Sequence, residues 1–128
     1  MQRTPRKVLI SKEEIAKLQL VFSSAIEYLP SEKKILVSVT VGISYPNSTY
    51  LLGNVPITGN AIASRILSYS FDKSQDFDSV ESKIRKKAND ELDQIKSELQ
   101  SILEKGNPHL FVDLEQMIDR IVAKISSE

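Results

Sequence analysis

The sequence contains no cysteine, which excludes disulfides, thiolate zinc sites and thiol nucleophiles and fits a reducing, cytoplasmic setting. It has a single histidine, His109, so any imidazole chemistry would rest on one side chain with Asp113 as the nearest acid one helical turn on. No apolar run approaches the length of a membrane span, and the opening stretch MQRTPRKVLISKEE has basic residues without the apolar segment of a signal peptide. Net charge is absent as well. The 17 basic and 17 acidic side chains cancel, whereas a dedicated nucleic-acid binder presents a basic face. One further absence is local. The thirty residues from Ile35 to Ser64 include no Asp, Glu, Lys or Arg, although these make up 27% of the chain and about eight would fall there by composition.

What is present describes a single α+β domain over residues 1–128. With 41% hydrophobic side chains the chain can bury a core without staples. Charge is uneven: residues 1–34 carry seven basic and four acidic side chains, and residues 91–128 carry four and eight. Residues 1–7 read as a flexible basic arm, leading into a short edge strand at Lys7-Val8-Leu9-Ile10. Ser11 and Glu14 form a capping-box pattern. Ile15, Leu18, Phe22, Ile26 and Leu29 then recur at steps of three and four, predicting a helix that Pro30 closes.

From Ile35 the period changes to two. Ile35, Val37, Val39, Val41, Ile43 and Tyr45 alternate with Leu36, Ser38, Thr40, Gly42 and Ser44, predicting a long strand with one apolar face. Pro46-Asn47-Ser48-Thr49 reads as a turn. Tyr50 to Ile57 reads as a second strand, broken by Gly53-Asn54 and Pro56. Thr58-Gly59-Asn60 reads as another turn, and Ala63 to Asp72 as a third strand, with a helix from Asn60 as the competing reading.

Asp78 and Glu81 repeat the capping pattern. Val80, Ile84, Ala88, Leu92, Ile95, Leu99 and Ile102 follow on one stripe to a stop at Gly106. Asn107-Pro108 opens a last helix with Phe111, Leu114, Ile118, Ile121 and Ile125 on its stripe. The expected fold is a three- to four-stranded, mostly antiparallel sheet in (β)-α-β-β-β-α-α order, with residues 78–126 as a C-terminal antiparallel helical hairpin.

The α-β-β-β-α order resembles that of double-stranded-RNA-binding domains, and with the leading strand it is similar to ribosome hibernation factors. The likeness covers roughly residues 8–104 and is one of element order, which many functions share. In the RNA-binding family, basic residues at the start of the final helix grip phosphate. Here that helix opens Asp78-Ser79-Val80-Glu81, with Lys83, Arg85, Lys86 and Lys87 later, and membership of either family is not inferred.

Motifs for chemistry are sparse. Asp72, Asp76 and Asp78 could offer oxygen ligands to a hard cation, but their spacing and the missing glycine do not fit a calcium loop, and capping accounts for them. The Gly-Asn pairs lack the glycine spacing and following lysine of a phosphate loop, and no nucleophile elbow is present. The reading is therefore a non-enzymatic module with no cofactor and no small-molecule ligand indicated. Its expected partner is another protein or a second copy of itself. The second face of the first long strand is small and uncharged, where a solvent-facing sheet normally carries Lys, Glu and Arg. Ser38, Thr40, Ser44, Ser68 and Ser70 are the candidate interface residues, unless the C-terminal helix folds over them. The alternative is a nucleic-acid-associated protein using Arg3, Arg6, Lys7, Lys34, Arg85, Lys86 and Lys87.

Overall fold

The computed structural model describes residues 6–72, 74–106 and 108–127. The chain forms β1 (Arg6–Ser11), a 3-10 turn (Lys12–Lys17), β2 (Gln19–Leu29), β3 (Lys34–Leu52), β4 (Val55–Phe71), helix α1 (Ser74–Glu104), β5 (His109–Asp113) and helix α2 (Leu114–Ser126). The α+β class, the antiparallel sheet and the packed C-terminal helices all match the sequence reading. Residues 1–5 of the expected arm lie outside the described residues, while Arg6 and Lys7 belong to β1.

Strand β3 is the axis of the sheet. Its even alternation of β-branched residues favours extended backbone, and it continues to Leu52 through an irregularity between Tyr45 and Ser48. The turn expected at residues 46–49 is thus a bulge inside a longer strand, which keeps pairing with β4 on both sides of it. The chain reverses instead at Gly53-Asn54, between the paired residues Leu52 and Val55. Gly53 has φ of 66°, the left-handed value that a tight two-residue hairpin demands at its first central position. The turn expected at residues 58–60 is also absorbed into a strand, because Gly59, at φ of 145°, adopts a backbone open to glycine alone. Residues 61–72 are accordingly strand to Phe71, not helix.

The helix expected from Ile15 to Leu29 is corrected. The capping signal at Ser11 does begin a helical turn, but it ends at Lys17, and residues 19–29 pair with β3 from Ser44 to Lys34. The physical reason is that Phe22 and Ile26, four apart, fit both periods, and so does Leu18. The neighbours Leu20 and Tyr28 complete a period-two set, and the unpaired flank of β3 offers eleven residues of ladder that a helix would leave unsatisfied. Pro30 lies in the four-residue turn between β2 and β3, which Lys33 ends in a left-handed conformation at φ of 53°.

Residues 109–113 are likewise strand rather than the first turns of a helix. His109-Leu110-Phe111-Val112-Asp113 pairs in full with β1, Ser11 to Lys7. Leu110 and Val112 thereby join Ile10 and Val8 on one face. The sheet therefore has five strands rather than three or four, and a strand interrupts the connection between the two helices. Asp113 caps α2 by accepting a bond from the Glu115 amide at 2.9 Å, so the helix starts six residues later than Asn107-Pro108 suggested.

One face of the sheet carries the core. Val8, Ile10, Val37, Val39, Val41, Ile43, Tyr45, Ala61 and Ala63 are buried there beneath Ile84, Ala88, Leu92, Ile95 and Leu99 of α1 and Leu114, Met117, Ile118, Ile121 and Ile125 of α2. The helices run antiparallel: Arg120 of α2 bonds Glu91 at 2.9 Å and Glu98 at 2.6 Å, while Lys87 reaches the Ser127 carbonyl near the other end. Both helices lie on this inner face.

Candidate interaction surface

The other face of the sheet has no cover among the described residues. Its rows follow from the pairing of β2, β3 and β4: Gln19, Ser44 and Ile62; Val21, Gly42 and Ser64; Ser23, Thr40 and Ile66; Ala25, Ser38 and Ser68; Glu27, Leu36 and Ser70. Glu27, on the outermost strand, is the single charged side chain in these five rows. All five candidate interface residues from the sequence, Ser38, Thr40, Ser44, Ser68 and Ser70, lie on this one face. The C-terminal helix does not reach it, since α2 packs on the inner face through Arg65 and the core.

Apart from Glu27 this surface carries no charge, and it exposes apolar side chains. Ile66 is 69% exposed, Val21 47%, Ile62 44% and Leu36 36%. Gly42 sits between Val21 and Ser64, and a Cβ placed there would meet only ordinary contacts, the nearest at 3.5 Å. The chain's own packing does not require glycine at this position. Its effect is to leave the centre of the face low and flat.

The edges of the sheet differ in kind. Strand β4 carries Pro56, the glycine conformation at Gly59 and an inward-facing charge at Arg65, three devices that discourage strand addition. Arg65 binds Glu115 at 2.6 Å and Asp119 at 3.0 Å. Burial works against its charge, and the two carboxylates more than offset that. Strand β2 has the sequence QLVFSSAIEYL, with no lysine, proline or glycine. Among the described residues its outer edge pairs with no strand. On its inner face, Arg85 of α1 lies over Phe22 at 4.7 Å from the ring centre, but the helix leaves Ile26 62% and Tyr28 59% exposed. Sequence reasoning missed this edge because it assigned these residues to a helix; the alternation Leu20, Phe22, Ile26, Tyr28 was the available signal.

The basic positions are not gathered into one patch. Lys7 pairs with Leu51 near one end of β3, and Lys34 begins β3 at the other end, roughly 55 Å away at the usual rise per residue. Lys86 and Lys87 line an open groove with Lys83, Asp90 and Lys124, while Arg85 turns to Glu81 at 3.1 Å and to Phe22. Arg3 and the side chain of Arg6 lie outside the described residues, as does the side chain of Asp76. Asp72, Asp78 and His109 are exposed, and among the described residues no cluster of three His, Asp or Glu is placed to hold a metal. No helix among them is long and apolar enough to cross a membrane.

No protein-family model, curated protein or solved structure matches the chain. The surface itself is therefore the ground for any functional reading.

Proposed function

We propose that this protein is a small non-enzymatic interaction module, acting by having the uncharged outer face of its sheet covered by another protein layer, in the first instance a second copy of itself. The observation that carries this reading is the bare face spanning β2, β3 and β4, with Leu36, Ile62, Ile66 and Val21 exposed among serines and threonine. A sheet face left to solvent gains nothing from exposed Ile and Val, and burying one such side chain contributes about 1–2 kcal/mol. Small hydroxyl side chains allow a second sheet to approach at about 10 Å.

The test is a charge at the centre of the face. Thr40 lies between Ser23 and Ile66, and Thr40→Arg adds a solvated side chain that the isolated fold tolerates. Light scattering at tens of micromolar is expected to give a larger mass for the wild type than for the variant, with thermal melts confirming that both are folded. Equal masses would overturn the reading.

A further inference from the structure

A second surface, distinct from the outer face, carries an independent inference. We infer that the free edge of β2 pairs antiparallel with β2 of a second copy, about a two-fold axis through Ser24, to make one continuous ten-stranded sheet. Four observations point to it. The edge runs eleven residues, Gln19–Leu29, without the proline, glycine kink or inward charge that guards β4. Its outward backbone groups have no strand partner among the described residues. Its apolar side chains Ile26 and Tyr28 stand exposed on the helix side, where α1 stops covering the strand. Finally, the sequence is complementary to itself in this register.

The register follows from counting outward from Ser24. Ser23 faces Ala25, Phe22 faces Ile26, Val21 faces Glu27, Leu20 faces Tyr28 and Gln19 faces Leu29. Phe22, Ile26, Leu20 and Tyr28 all project to the inner face, so the exposed pair of each copy meets the half-buried pair of the other. The strand's one charge, Glu27, faces Val21 and not its own copy, whereas a two-fold moved to Glu27 would set like charges opposite. All eleven residues are used. An axis normal to the sheet keeps the helices of both copies on the same side, so the joined sheet has one covered face and one bare face.

An edge about 37 Å long and one sheet layer thick buries roughly 370 Å² per copy, about half of a standard interface. A dimer of micromolar affinity is therefore expected, in concentration-dependent exchange with monomer.

The absence of cysteine allows a direct test. Opposed residues of an antiparallel pair lie about 4.5–5.5 Å apart at Cα, within the range a disulfide spans. Ser24→Cys is expected to oxidise to a covalent dimer, while Ser23→Cys and Ala25→Cys link to each other in a mixture and not to themselves. Self-linking at 23 or 25 in place of 24 would overturn the register, and no linking at any of the three would overturn the edge pairing. Without oxidation, Ser24→Lys and Ser24→Glu should each lose the edge dimer, and an equimolar mixture of the two should recover it; no recovery counts against the two-fold at Ser24. Thr40→Arg should leave all these results unchanged, which separates a failure of the edge from a failure of the outer face.

Discussion

Glu14 illustrates how one residue ties a local motif to the whole sheet. The capping-box spacing to Ser11 is present, but Ser11 donates to the Glu14 carboxylate at 2.9 Å and Tyr45 of β3 donates to it at 2.8 Å. The hydrogen bond from Tyr45, with a lesser one from Ser11, holds the Glu14 carboxyl below its ordinary value of 4.5, because both favour the ionised form. Burial pushes the Tyr45 phenol up, and its bond to Glu14 adds to that. A depressed folded-state value gives stability that is present above the unfolded value and is lost as pH falls through the folded one. Urea unfolding should therefore show wild-type stability dropping below about pH 4.5, the unfolded value. Glu14→Gln should cost roughly 1 kcal/mol at neutral pH, given the partial exposure of the site, and flatten that acid limb. An acid limb of equal steepness in the variant would assign the pH dependence elsewhere.

At the scale of elements, α2 is placed by two arginines. Arg65 reaches it from β4 through Glu115 and Asp119, and Arg120 extends from it to Glu91 and Glu98 of α1. Its stripe of Leu114, Met117, Ile118, Ile121 and Ile125 supplies the burial, and the arginines select the face on which that burial happens. Arg65→Met keeps the apolar stem but leaves the Glu115 carboxylate, with its side chain only 15% exposed, without a guanidinium. The expected loss is about 1–3 kcal/mol, with faster hydrogen exchange along α2 than along β3. Uniform acceleration across the chain would mean that the contact supports global stability rather than the docking of α2.

The elements also mark where sequence patterns were sufficient. The core stripe of α1 and the alternation of β3 were legible because many periods repeat in each, and Gly106, at φ of 109° just past α1, gave the stop. Strand β2 was not legible, since Leu18, Phe22 and Ile26 satisfy both periods and the deciding partner, β3, is distant in sequence. Strand β5 failed for a related reason. Five residues before a strong helix look like its first turns until β1 is present to pair with them.

For the whole molecule, the two proposed surfaces have different symmetry consequences. Edge pairing has its axis normal to the sheet and leaves the joined outer face bare. Face packing has its axis parallel to the sheet. Where two such axes cross, the assembly closes as a tetramer instead of growing as a fibre. Light scattering over a concentration series should then rise toward four chains for the wild type. It should stop at two for Thr40→Arg and at two for Ser24→Glu, and the double variant should remain a monomer. A wild type that grows without limit would place the axes apart.

The sequence by itself determined the class of fold, the inner face of β3, the core of both helices and the uncharged character of a second face. Those properties are periodic and local, written in side chains that repeat every two or three to four residues. Only the tertiary structure decided that residues 19–29 are an edge strand, that both helices choose the same side, and that Ser38, Thr40, Ser44, Ser68 and Ser70 share one uncovered surface. Such choices depend on which distant strand supplies the backbone partners and which face a half-buried arginine can anchor, and neither is encoded in any window of neighbouring residues.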